Sequence, residues 1–439
     1  MKSRFFTLLA GMMAALILLL GCEKEEFPAQ LPGVRDGVVA DSVVEGMHGN
    51  GLNAVGLGNG DLLDEYVEHL RAFAYFSGAL TLRPMEGGDF REVGGINPIT
   101  ASLQYDYAID PSGKRQYDFF ALGVEERADF YEQILQDEKA FLAERLNLEP
   151  RAAVVIRARS RALQRVLLDC VGDDVWRKLG KSGRRIQAHG AKGSGGMEQE
   201  LMAIAGISEQ TMRMQSQKML SELGREIDRE YGGIDGGSGS GVSSGSKGDR
   251  PCDEKFAAKM RSVYRAHGVQ RGQILYRGMW EGSSTGHAAI LMDPDIPETG
   301  NICGHLLSID AYPEDGVRDR TVQTWNYRHY VLGVRKIWYT WEKGWWIFKK
   351  RVRHEKKLYN MGGVADVAYG KRGRPYGDIC RSKHQDDRFI CSSLVWYSVK
   401  HGCSIDGDVV DLVAWRPNTI WPTDLWLDSK TFVVAEVRR

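Results

Sequence analysis

Apolar residues recur at helical spacing through the first half of the chain and give way to short, dense apolar runs in the second. "DLLDEYVEHLRAFAYF", beginning at Asp61, repeats apolar positions at helical intervals behind an aspartate suited to capping a helix start. "VEERADFYEQILQDEKAFLAERLN" does the same, with Phe130, Ile134, Leu135, Phe141 and Leu142 contributing to one side. Pro150 then opens "RAAVVIRARSRALQRVLLDCVGDDVWRKLG". Ser208 begins "SEQTMRMQSQKMLSELGREIDREYG", whose methionines read as packing rather than as a cofactor box. The pattern predicts a mostly helical domain over residues 61–231, and no catalytic constellation occurs in it.

"GGIDGGSGSGVSSGSKGDR", Gly232 to Arg250, holds too few apolar residues to order itself and reads as a linker. Beyond it the period changes. "GQILYRG", "HAAILMD", "HLLSIDAY", "YVLGVRKIWYTW" and "WWIFKKRVR" are short runs rich in β-branched and aromatic residues, and each predicts a strand. The last two flank "EKG" and predict a long hairpin. The chain is therefore expected to be α+β, with helices first and a β-rich domain over residues 251–439. From Arg335 to Lys357 there are nine Lys or Arg against two Glu. Such a hairpin fits an anionic surface, phospholipid or wall polymer, and equally fits a solvated edge defended by its lysines.

The N-terminus follows different rules. Lys2 and Arg4 precede "FFTLLAGMMAALILLL", an apolar run of 16 residues, which is signal-peptide length and short for a membrane span. It ends in "LLGC", which resembles the lipobox of bacterial lipoproteins, with Cys22 the residue that would receive lipid. Residues 1–22 are read as a lipoprotein signal and residues 23–60, acidic and then Gly-rich, as a tether. That implies an extracytoplasmic protein held at a bacterial membrane, with the outer membrane favoured because no aspartate follows Cys22. "GLGNGD" within this region lacks the preceding strand and the spacing of a dinucleotide loop.

Lys plus Arg equals Asp plus Glu at 58 each across 439 residues, so no global field points to nucleic acid. An oxidising compartment permits disulfides among Cys170, Cys252, Cys303, Cys380, Cys391 and Cys403, in any of 15 pairings. No cysteine or histidine spacing matches a zinc site, and no metal or cofactor is expected.

The candidate chemistry centres on "RFICSSLVWYSVKHG". Leu394, Val395 and Val399 fall at helical spacing after Cys391, and Gly402 supplies a stop. A cysteine in the first turn of a helix feels the positive end of the dipole, which favours the thiolate. A thiolate nucleophile needs a base held by a third group. His287 stands at the start of one predicted strand among small residues. Asp310 sits in an otherwise apolar one, where a carboxylate is costly to bury without a partner. His384, close to Cys391 in sequence, is the reserve candidate for the base; His305, His329, His354 and His401 have no matching context.

The ordered set "GQILYRG…GHAAIL…SIDAYPEDGVR…PYGDI…RFICSSLVWYSVKHG…WPTDL" resembles the circularly permuted papain-like amidases, the YaeF/YiiX-like group of the NlpC-like superfamily. It covers Gly272 to Leu425. In that group the His-bearing strand precedes the Cys-bearing helix, as here. The resemblance implies an antiparallel sheet or barrel packed on the helix of Cys391, with His287 as base and Asp310 as its orienter. Tyr376 precedes the cysteine as a family tyrosine does; it either lines the oxyanion site or packs. Asp310 replaces the usual glutamate, one methylene shorter, and Ser393 replaces the usual helix glutamate.

The implied activity is that of a membrane-anchored cysteine hydrolase cleaving an amide at the cell envelope, with a cell-wall peptide or a lipid-linked amide as substrate. The alternatives are a lipid-directed thioesterase or acyltransferase, and an inactive binding module whose helical half recruits a protein partner.

Overall fold

The computed structural model describes residues 59–76, 108–109, 115–117, 124–172, 218–219, 221–231, 253–278, 286–343, 349–377, 386–413 and 419–439. The helices expected in the first half form α1 (Asn59–Phe76), α2 (Val124–Leu148), α3 (Ala153–Val171) and α4 (221–231). Pro150 heads a single 3-10 turn before α3, a place where its missing N–H costs nothing. The second half begins with α5 (Glu254–Ala266), whose first turn is capped by Asp253 accepting the N–H groups of Lys255 and Phe256.

Seven strands then build one antiparallel sheet: β1 (Ile274–Arg277), β2 (His287–Leu291), β3 (Leu306–Tyr312), β4 (Gly316–Thr321), β5 (His329–Lys343), β6 (Lys349–Leu358) and β7 (Thr431–Val437). Their order is β7-β5-β1-β2-β3-β4, and β6 pairs with the far half of β5 to make the long hairpin. Three helices complete the half: α6 (Gly362–Tyr369), α7 (Cys391–Gly402) and α8 (Pro422–Trp426). The class is thus α+β, with helices first and an antiparallel sheet in the C-terminal half.

Both faces of the sheet are covered, and side chains alternate between them. Ile274, Tyr276, Ala288, Ile290, Ile309 and Ala311 belong to a core shared with α1–α4, α6 and α7. Leu275, Ala289, Leu291 and Leu307 belong to a second core made with Phe256, Ala257, Met260 and Tyr264 of α5. This explains why "HAAIL" reads as a continuous apolar run: every residue of β2 is buried.

Helices and sheet, which the Gly/Ser stretch separates in the sequence, share the first core and lie within one compact unit, Ala54–Arg439. Their joint is polar as well as apolar. Arg159 on α3 pairs with Asp424 on α8 at 2.5 Å, both buried, and Tyr231 bonds to both. Leu148 O accepts from Tyr330 Oη at 2.8 Å and from Arg328 Nη2 at 3.2 Å, and Arg145 Nη2 donates to Thr431 O at 2.9 Å.

On the hairpin, Lys336 and Lys356 reach Asp408 and Asp406, while Arg335 and Arg353 share Glu355. Its described cations are largely neutralised by the protein's own acids. Cys303 is disulfide-bonded, whereas Cys170, Cys391 and Cys403 are free. Among the described residues no helix is long and apolar enough to cross a membrane. The signal, Cys22, the tether up to residue 58, the Gly/Ser linker, Cys252, Cys380 and His384 lie outside the described residues, and α1 begins at Asn59, inside the expected tether.

Candidate active site

Cys391 is the first residue of α7, entered from Ile390 in extended backbone. Ser393 secures that entry: its Oγ accepts the Ile390 N–H at 3.0 Å and donates to Ile390 O at 3.1 Å. The serine thus ties the helix start back on itself. No acidic residue occupies the first turn, so the free N–H groups present an undiluted positive end to the sulfur. Ser392 donates to Ile420 O and pins the turn to the following segment.

His287 is the first residue of β2, launched from Gly286 at φ +84°, where a Cβ would lie 2.5 Å from Arg277 O. Only glycine fits that corner, and the histidine beside it is aimed as a result. Its Nε2 lies 3.0 Å from Asp310 Oδ2. The thiol of Cys391 hydrogen-bonds to the same ring, which leaves Nδ1 as the nitrogen that faces sulfur, and the Ala288 N–H also bonds to the thiol. Tyr312 and Trp325 hold the imidazole by ring contacts at 4.6 and 5.8 Å between centroids. Trp325 is itself fixed by its Nε1–H, which donates to Ser308 Oγ at 2.8 Å.

Asp310 is fully buried in β3 and both of its oxygens are used. Oδ1 accepts Arg320 Nε at 2.8 Å. Arg320 also grips Asp315 with both Nη groups, at 2.6 and 3.0 Å, and its guanidinium lies 4.4 Å over the Tyr312 ring. Arg318, two residues away, bonds among the described residues to Asp315. Residues 318 and 320 alternate onto one face of β4, and it is Arg320 that turns toward the carboxylate.

Electrostatics follow from this packing. Burial alone would raise the pKa of Cys391, but the His287 charge, its hydrogen bond and the Ala288 N–H outweigh burial and hold the thiol below its ordinary value. Burial pulls His287 the other way, and the Cys391 charge together with the Asp310 bond raises it to about 9. Each partner stabilises the other's ion, which lowers the thiol and raises the imidazole together.

Tyr376 reaches the same place by a different route. It forms a parallel bridge with Phe389, closed by Gly377 N–H to Phe389 O at 3.0 Å and Phe389 N–H to Pro375 O at 3.1 Å. Gly316, at φ +70°, allows this segment close: a Cβ there would meet Arg374 O at 2.2 Å. Burial and then the Cys391 charge raise the phenol pKa, so the group stays a neutral O–H. Cys391, His287 and Asp310 are therefore brought together from α7, β2 and β3, while Tyr376, in the segment before α7, lies near enough for the Cys391 charge to act on its phenol.

The remaining described histidines lie elsewhere. His329 is enclosed by the α5 core between Tyr264 Oη at 2.8 Å and Tyr327 O at 2.7 Å, and burial lowers its pKa to about 4. His305 faces Asp293, His354 stacks on Trp338 and His401 lies against Tyr397. Among the described residues no group of three or more His, Cys, Asp or Glu could hold a metal ion. Compared with known proteins, no family model, no curated protein and no solved structure matches this chain.

Proposed function

We propose that this chain is a cysteine hydrolase that cleaves an amide through a thioester, in a permuted papain-like arrangement whose His-bearing strand precedes its Cys-bearing helix. The observation that carries the reading is the relay Cys391–His287–Asp310: a polarised thiol on a helix start, a ring between thiol and carboxylate, and a carboxylate with no freedom left. A purely structural cysteine in a core has its pKa raised, as Cys403 does, to about 12.

In this reading the Cys391 thiolate attacks the carbonyl carbon. The Cys391 N–H at the helix start and the Tyr376 hydroxyl take the charge developing on oxygen, an interaction worth about 3 kcal/mol per donor. His287, already protonated, gives its proton to the leaving amine as the tetrahedral intermediate collapses to the thioester. It then draws a proton from water, which hydrolyses the thioester and restores the pair. Asp310 holds the ring so that Nδ1 meets sulfur throughout. With the lipid at Cys22, the substrate would be a cell-wall peptide or related amide at an extracytoplasmic membrane face.

The test is incubation of mature protein and its Cys391→Ala variant with cell-wall fragments and with phospholipid, read by mass spectrometry. New amine and carboxylate ends on the wall peptide, absent with the variant, are expected. Release of fatty acid alone would replace this reading with a lipid-directed one, and no product from either would overturn both.

A further inference from the structure

Arg277 is the cross-strand partner of His287: the two residues face each other in the β1–β2 ladder. Directly opposed residues project from the same face, with Cβ atoms about 5 Å apart. The guanidinium is half-buried, lies 4.7 Å over the Tyr327 ring, and is near enough to Tyr312, which packs on His287, to favour ionisation of its phenol.

What separates Arg277 from its neighbours is the lack of an acid. Arg320 is saturated by Asp310 and Asp315, Arg328 pairs with Glu436, Arg318 with Asp315 and Arg372 with Asp319. Among the described residues no carboxylate and no hydrogen-bond acceptor meets the Arg277 side chain; its one contact is the apolar face of Tyr327. A guanidinium is planar, always charged and shaped to grip a carboxylate through two parallel N–H bonds. Held over an aromatic ring beside the catalytic base, it has a fork that meets no acid among the described residues.

We propose that Arg277 binds a carboxylate of the substrate, so that the enzyme prefers amides bearing an acidic group close to the scissile bond. The inference rests on the hydrolase reading and adds the substrate class to it. Of the catalytic charges only the His287 imidazolium attracts an incoming acid, and the adjacent thiolate opposes it; Asp310 is committed to His287 and Arg320, and His329 is neutral. Arg277 would offset that repulsion and orient the acid at one side of the attacked carbonyl.

Two alkylating reagents that differ only in this group supply the test. Iodoacetate and iodoacetamide both transfer a CH₂ group: a bond forms from Sγ to carbon as the carbon–iodine bond breaks and iodide leaves. His287 is common to every variant, so a change in the iodoacetate-to-iodoacetamide rate ratio isolates Arg277. The ratio is expected to fall roughly tenfold in Arg277→Gln, to fall further in Arg277→Glu, and to survive in part in Arg277→Lys, which keeps charge without the fork. Thermal melting checks that each variant is folded, and the lysine variant carries the test should the others be unstable. A ratio unchanged in the Gln and Glu variants overturns the inference while leaving the nucleophile in place. Wild-type Cys391 reacting with neither reagent faster than a cysteine in a short peptide overturns the hydrolase reading instead.

Discussion

Asp310 meets His287 across 3.0 Å while fully buried, so the aspartate spans the gap to the ring without the extra methylene of a glutamate. The backbone of β3 is close enough to β2 for the shorter side chain, and Arg320 takes the oxygen that His287 leaves. Asp310→Ala removes the orienter and leaves Arg320 with Asp315 as its acid. The alkylation rate of Cys391 by iodoacetamide at pH 7 is expected to fall roughly tenfold, about 1.4 kcal/mol in the barrier. Asp310→Asn keeps an acceptor oxygen and should lose less. A wild-type rate in the alanine variant would show that the ring needs no partner.

The thiolate–imidazolium pair predicts a pH profile. The Cys391 pKa lies below that of a free thiol, so alkylation should already be fast below about pH 8.5, where free cysteine is mostly protonated. Hydrolysis also needs the His287 proton and should decline as pH passes about 9. The folded pKa of His287 exceeds its unfolded value of about 6.5, so its protonation stabilises the fold fully below that pH. That contribution fades as pH rises through about 9. In Cys391→Ala the chief charge raising the histidine is gone, and NMR titration should find its pKa shifted down. An unshifted titration would mean that the ring does not face the sulfur.

The glycine that launches His287 is a second point of control. Gly286 sits at φ +84°, and a Cβ would lie 2.5 Å from backbone oxygen of Arg277, which cannot move aside cheaply. Gly286→Ala is expected to cost on the order of 1–3 kcal/mol of stability and to slow Cys391 alkylation by displacing the base. Denaturant midpoint and alkylation rate should fall together. A stability loss with an unchanged rate would show that the ring is placed by Tyr312 and Trp325 rather than by the turn.

Much of this site was legible because its residues break local rules. Asp310 interrupts an apolar strand, His287 opens one after a glycine, and Cys391 opens a helix; each anomaly is visible within ten or so residues. Arg320 was not legible, since "VRDRT" offers two arginines on one face and the ladder sets Arg318, not Arg320, opposite Asp310; only the side-chain contact shows which one reaches the carboxylate. Arg277 was hidden for the same reason: its importance lies in facing His287 across a ladder whose register no single strand contains. The hairpin's nine cations fit an outward anionic surface or a solvated edge equally in sequence, and the acids that meet two of them, Lys336 and Lys356, lie far along the chain at Asp408 and Asp406.

The least legible feature is the joint between helices and sheet, and it yields the last prediction. Arg159 and Asp424 are 265 residues apart in sequence, yet form a buried pair at 2.5 Å completed by Tyr231. Arg159→Met leaves Asp424 charged and desolvated, which costs about 3–5 kcal/mol for a buried pair broken on one side. Adding Asp424→Asn removes that stranded charge while keeping an oxygen for the Trp421 N–H, so the double variant should regain part of the loss. Because apolar residues of both halves belong to one core, helix content and tryptophan fluorescence should report a single unfolding transition in wild type. Two separated transitions, with the Arg159 effect confined to the first, would show that the helices fold independently of the sheet that carries Cys391.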